Sequence, residues 1–329
     1  MPHGSGLDAQ LGVALEATYG TRVAPVTFLP FESESLTLNK TYIETQPLMA
    51  GVMVQPEGYH VSSTRSVEGS IELQYFDRGM GKFLTMLTGG VIPIVTPGGA
   101  VAARTQTFPI GLTSPVGKSL SLQVGRPDTD GVVRPFDYLG CKVTEAVISI
   151  ESGEAATLSL NIDGRDEKTD QTLGTATYSA AARPFGFRRW EISIAGAPHM
   201  KCKTLTITVP VNMATDRHNL GNSGVKDEPL VNAQSDITMA ATFEFASLAD
   251  HQRYLNETIV SLVAKATNDL IEGAFSYGSE ITIPSAKQIS SGPVVGGADL
   301  LTVDAEFKAL YNGTNAPMTI VNTNTDTAL

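Results

Sequence analysis

Cysteine is nearly absent from this chain: Cys141 and Cys202 are the two in 329 residues. Their spacing suits no metal site, so they read as small buried or half-buried thiols. Histidine is also sparse, with His3, His60, His199, His218 and His251, and no pair of them shares a helix face with a carboxylate. Catalytic or structural zinc is therefore not expected, and no cofactor is implied. No apolar run approaches the roughly 20 residues of a membrane span. The start, Met1-Pro2-His3-Gly4, has no basic stretch followed by an apolar one, so no secretory leader is expected. Synthesis and folding in a reducing cytoplasm follow from these readings. A single tryptophan and an aromatic content of 7% leave little for a sugar-stacking surface.

Basic charge is in deficit. The net charge of −11 makes tight nucleic-acid binding improbable, because phosphate contacts need Lys and Arg to displace counterions. The pair Arg188-Arg189 beside Trp190 reads better as a strand start or a subunit contact. The deficit is spread evenly: residues 1–164 carry 10 basic and 16 acidic side chains, and residues 165–329 carry 13 and 18. A fused nucleic-acid module would break that balance.

Catalytic motifs fail one by one, and no enzyme is expected. There is no Gly-x-Ser-x-Gly elbow. Gly117-Lys118-Ser119 imitates the end of a phosphate loop, but Gly111 is one residue too far upstream. The following Leu120-Ser121-Leu122-Gln123-Val124 alternates like a strand where a phosphate loop needs a helix. Asp128-Thr129-Asp130-Gly131 lacks the closing Glu of a calcium loop and reads as a polar turn.

What the chain does have is two-residue alternation. From Ser66 to Phe76, Val67, Ile71, Leu73 and Tyr75 share one face, and Glu68, Glu72 and Gln74 share the other. From Asp236 to Phe245, Ile237, Met239, Ala241 and Phe243 oppose Thr238, Thr242 and Glu244. Further runs occur at Thr144–Glu151, Ala156–Asp163 and Leu301–Ala309, the first two joined by a Ser152-Gly153-Glu154 turn. Short helices are expected over Arg78–Thr88 and Ser247–Thr258, with Ser247 as N-cap and Asp250 completing a capping box.

These features recur in order. Leu36-Thr37-Leu38 corresponds to Leu205-Thr206-Ile207, then comes a long polar loop, the alternating strand, and Phe83-Leu84 against Tyr254-Leu255. The offset is 169 residues at the first strand, 170 at the second and 171 at the helix. Phe136-Asp137-Tyr138 matches Phe275-Ser276-Tyr277, and Ala17-Thr18-Tyr19 matches Ala176-Thr177-Tyr178. The expected architecture is mainly β: two tandem β-sandwich or barrel units, each with a short flanking helix and a long inter-strand loop. The units span residues 1–164 and 165–329. A Pro/Gly-rich excursion over about 89–117 interrupts the first and reads as a surface loop. Residues 312–329 read as an extended arm.

The opening Gly12-Val13-Ala14-Leu15-Glu16-Ala17-Thr18-Tyr19-Gly20-Thr21, followed by Phe28-Leu29-Pro30, resembles the start of long-tailed phage tail tube proteins. So does Leu139-Gly140-Cys141-Lys142-Val143-Thr144 leading into Ile148–Glu154. The resemblance implies a structural virion protein whose rings stack into a hollow conduit for DNA ejection. It implies inner strands joined around the axis and long loops reaching the next ring. Some members carry two units per chain, with three chains per ring. The internal repeat points to that homotrimer with pseudo-six-fold symmetry. Implied partners are further copies of the chain, the tape-measure protein and transiently genomic DNA in the lumen, and terminator and distal tail proteins at the ends. The loops at about 39–65 and 208–235 are then the inter-ring candidates, through Glu57, Tyr59, His60, Arg217, Lys226 and Asp227. The strand candidates for lumen or interface are Glu68, Glu72, Gln74, Thr238, Thr242 and Glu244. A baseplate or decoration protein, or an adhesive carbohydrate-binding β-module, remain the alternatives.

Overall fold

A computed structural model describes all residues except 1–3, 46, 180, 291, 294, 296 and 297. His3 lies outside the described residues. The described residues are mainly β, built of antiparallel sheets without a closed barrel. The principal strands are β1 (Gln10–Glu16), β2 (Thr37–Glu44), β3 (His60–Gln74), β4 (Arg104–Ile110), β5 (Ser119–Pro127), β6 (Val133–Glu151) and β7 (Thr157–Gly164). They continue with β8 (Trp190–Ile194), β9 (Cys202–Pro210), β10 (Thr238–Glu244), β11 (Ile259–Glu272), β12 (Phe275–Gln288), β13 (Thr302–Ala309) and β14 (Met318–Asn324). Two short helices, α1 (Gly81–Thr85) and α2 (Ala249–Leu255), follow β3 and β10.

Strand pairing in residues 10–164 runs β1–β5–β6–β7–β3–β2. In residues 190–309 it runs β8–β11–β12–β13–β10–β9. Numbered by chain position within each set, both orders are first, fourth, fifth, sixth, third, second, and in both a helix follows the third strand. β4 is the extra strand of the first set. The sets are joined because β9 pairs with the second half of β6, from Thr204 opposite Glu151 to Pro210 opposite Glu145. The result is one sheet reading β2–β3–β7–β6–β9–β10–β13.

Alternation explains the core. Where β3, β7, β6, β9, β10 and β13 lie side by side, buried aliphatic or aromatic residues alternate with more exposed ones, as with Ile71, Leu160, Ile148, Ile207, Met239 and Phe307. These belong to one continuous cluster drawn from both sets. Tyr75, fully buried, ties the sets together: its hydroxyl bonds Ser279 Oγ at 2.9 Å and donates to Asn322 Oδ1 at 3.4 Å. Its ring packs against Phe185 and Trp190.

Several expectations need correction. The 89–117 excursion is not only surface loop, since it contains β4, with Phe108 and Ile110 buried. Residues 312–329 are not a free arm: β14 lies between β4 and β12, and Met318 and Ile320 are fully buried. Together β4 and β14 lace the first set to the second. The helix after β10 has no capping box either. Leu248 is its N-cap residue without a side-chain bond, and Asp250 is buried against Arg253 at 2.7 Å.

Candidate assembly surfaces

The solvated face of the seven-strand sheet is defined by register. One cross-strand row reads Glu72, Ser159, Val147, Thr208, Thr238, Lys308. The next reads Gln74, Thr157, Ser149, Thr206, Ala240, Glu306, and a third Glu151, Thr204, Thr242, Asp304. Paired residues point to the same side of an antiparallel ladder, so Glu72 and Gln74 share a face with Thr238 and Thr242 although 160 residues or more separate them in the chain. Glu68 and Glu244 extend the same face. The structure thus places all six strand candidates on one face of the sheet, with Glu68 and Glu244 toward its opposite ends. It adds members not singled out from sequence: Glu145, Ser149, Glu151, Ser159, Thr206, Asp304 and Glu306. Their alternation in β6, β7, β9 and β13 was the signal that could have found them.

This face is short-chained, hydroxylic and acidic. Ser159 Oγ donates to Glu72 at 2.6 Å, and Thr242 Oγ1 to Asp304 at 2.8 Å. Lysines at its margin are paired: Lys203 with Glu244 at 3.5 Å and Lys308 with Asp236 at 2.7 Å.

The first long loop is largely a hairpin. β2 and β3 pair from Thr37 opposite Glu68 out to Glu44 opposite His60. Gly69 permits the tight entry, since a Cβ there would sit 2.5 Å from the Ser35 carbonyl oxygen. The distal part is exposed and apolar: Leu48 and Met53 are fully exposed, with Tyr42, Ile43, Val54, Tyr59 and Val61 also open to solvent. Tyr42 and His60 stack across the hairpin with ring centroids 4.5 Å apart. Tyr59, His60 and Glu57 belong to this exposed distal part, Glu57 and Tyr59 on a short 3-10 turn at the hairpin's end. Among the described residues β2 pairs with β3 alone, so the outer edge of the sheet is a row of backbone groups without a strand partner.

The second long loop behaves differently. It is a compact lobe closed at its neck, where Met213-Ala214 pairs with Leu230-Val231. Lys226 is not an outward residue: its side chain is 1% exposed and forms an ion pair with Asp163. Burial pushes the Asp163 carboxyl up from its ordinary pKa despite that partner. Arg217 donates to the Glu228 carbonyl, and Asp227 accepts from Asn222 at 2.8 Å, so both organise the lobe itself.

At the far end of the sheet from the hairpin, where β10 ends and β9 and β13 begin, further exposed apolar residues lie in the flanking turns and at the two ends of α2: Met200, Leu248, Leu255 and Leu300. Apolar surfaces at opposite ends of one subunit suit head-to-tail stacking, the heterologous contact that builds rings or filaments.

A long antiparallel sheet with an unpaired edge, an acidic face and apolar ends suits a self-assembling structural protein. The family model for phage tail tube protein matches residues 6–309, and the chain belongs to that family. A search of curated proteins gives no significant match. The family is structural, forms tubes by self-assembly and resides in the virion tail. No described helix is long and apolar enough to cross a membrane.

Proposed function

We propose that this chain is a two-unit tail tube subunit, with units of about 1–164 and 165–329 derived by duplication. Three chains close a pseudo-six-fold ring, and stacked rings form the conduit for DNA passage. The observation that carries this reading is the join inside the chain. β6 of the first strand set and β9 of the second lie side by side in register, with both sets in the same strand order. β2 occupies in the first set the place that β9 occupies in the second, and its outer edge is free. The same side-by-side join, repeated between chains, uses that edge and continues the sheet around an axis.

Under this reading the acidic, hydroxylic face lines the lumen, where polyanionic DNA meets no clustered cations. The apolar hairpin meets the Leu248–Leu255 end of the next ring. Subunits made in the host cytoplasm assemble around the tape-measure protein, and terminator and distal tail proteins close the two ends. Cryo-EM of tubes from purified protein tests the ring. Three full-length chains per ring support the proposal. Six full-length chains overturn the pseudo-hexamer while leaving the tube role standing, and dispersed monomers under all salt conditions count against the tube itself.

A further inference from the structure

The two long loops are equivalent in strand order, yet the structure treats them oppositely. We propose that only the β2–β3 hairpin is a projecting arm, and that the lobe at 211–235 is a brace that clamps the base of that arm to the body. The arm's entry into a neighbouring ring rests on the tube reading above; the brace does not.

The brace is anchored at several points. Lys226 reaches into the body and pairs with Asp163 at the end of β7, both nearly inaccessible to water. Glu228 accepts from Lys142 Nζ at 2.6 Å and from the Gly117 amide at 2.6 Å, and Lys142 is itself 1% exposed. Gly224 gives its carbonyl to the Arg65 amide at 2.9 Å. It sits so close that a Cβ on it would be 2.5 Å from the Ser63 carbonyl oxygen, and its φ of +76° favours glycine. Swinging the lobe outward would strip two buried charges, Asp163 and Lys142, of their oppositely charged partners, leaving Lys142 only the Pro115 carbonyl. That cost is far larger than an exposed contact could return. The arm, in contrast, is held as far as Ser63 and Arg65, where Arg65 also meets Asp166 at 3.1 Å. Beyond that point Tyr42, Ile43, Leu48, Met53 and Val54 are open to solvent. The lobe therefore fixes where the arm leaves the body, and each chain presents one arm rather than two.

Two measurements test this. In the dispersed full-length chain, Lys226→Ala should speed hydrogen exchange at the Arg65 amide and its neighbours by about tenfold or more, while β10 and β13 keep their protection. Gly224→Ala, which presses on Ser63 without unpairing a charge, should act on the same amides if Lys226→Ala fails to fold. Unchanged exchange at Arg65 in a folded variant overturns the brace. In assembled tubes, in a Cys202→Ser background, maleimide labelling of Met53→Cys should slow by about tenfold relative to dispersed chains. Labelling of Leu220→Cys should not change. Both positions are fully exposed, so neither change disturbs the fold. Equal protection of Leu220→Cys would make the lobe a second arm and overturn the assignment. If no rings or tubes form, the tube reading fails, while the exchange result still decides the brace.

Discussion

Ile148 of β6 lies directly opposite Ile207 of β9, and both are buried on the same face of the sheet. This pair sits where the two strand sets meet, inside a core cluster that runs through both. The sets therefore should not melt independently. Calorimetry of the dispersed chain should show one transition, and Ile207→Ala should lower the stability of the whole by about 2–5 kcal/mol, the usual cost of a cavity of that size. Two resolved transitions, with only one shifted by the substitution, would show that the halves are thermodynamically separate.

Much of this was readable in advance, for a physical reason. β3, β10 and β13 bury one side and wet the other, so strict alternation marks them. The 169–171 residue offsets follow from strands and helix that keep their order. β4 was not legible because Pro109 interrupts it. A proline is tolerated there because β4 has β14 on one side and only the short Ile94-Val95 strand, pairing at Thr105 and Gln106, on the other. β14 was hidden because its inward positions include Asn322 and Asn324, which break the binary pattern. Asn322 is satisfied by the Tyr75 hydroxyl, a contact across 247 positions that no local reading reaches. The same holds for Lys226 and Asp163: a lysine in a polar loop reads as exposed until its distant carboxylate is known.

The shared acidic face gives a charge test. Tubes of the native protein should retain no DNA at physiological salt. Reversal at Glu68, Glu72 and Glu244 to Lys places cations on one face of the sheet, and tubes of that variant should bind DNA with an affinity that falls steeply as salt rises. Filter binding across a salt series reads this directly. Native and variant tubes that ignore DNA alike would remove this face from the lumen.

Glu272, at the end of β11, accepts from the amides of Val101, Ala102 and Ala103 at 2.6, 2.6 and 2.8 Å. Those donors hold its carboxyl below the usual carboxylate range. A depressed folded-state pKa means that the anchoring is complete above the ordinary Glu value and is lost as the pH falls through the depressed one. Exchange at the 101–103 amides, corrected for intrinsic rate, should therefore be slow at neutral pH and accelerate under acid. In Glu272→Gln the protection should be weaker at neutral pH and the acid step absent. A native-like acid step in that variant would assign the change to another group.

The hairpin can be removed without tearing the sheet. Asn39 stands opposite Ser66 in the β2–β3 ladder, so the ends left by deleting residues 39–65 are already neighbours. Asn-Gly inserted between Leu38 and Ser66 makes, with Ser66, a three-residue loop between the paired Leu38 and Val67, a length common in antiparallel hairpins. Among the described residues the removed segment holds exposed and half-buried side chains but no buried one, and the core begins at Val67. Loss of the Arg65–Gly224 bond leaves the lobe held by Lys226 and Glu228. The deleted chain should therefore stay soluble, keep a cooperative melt and still join side by side through the edge that is kept, Ser33-Glu34 and Thr37-Leu38, which pair with β3 outside the deleted segment. It should fail to elongate, because the apolar contact reaching the next ring is gone. Electron microscopy should show single rings or short stacks in place of tubes. Tubes of normal length from the deleted chain would mean that stacking is carried elsewhere, and would move the search to the Leu248–Leu255 end of the sheet.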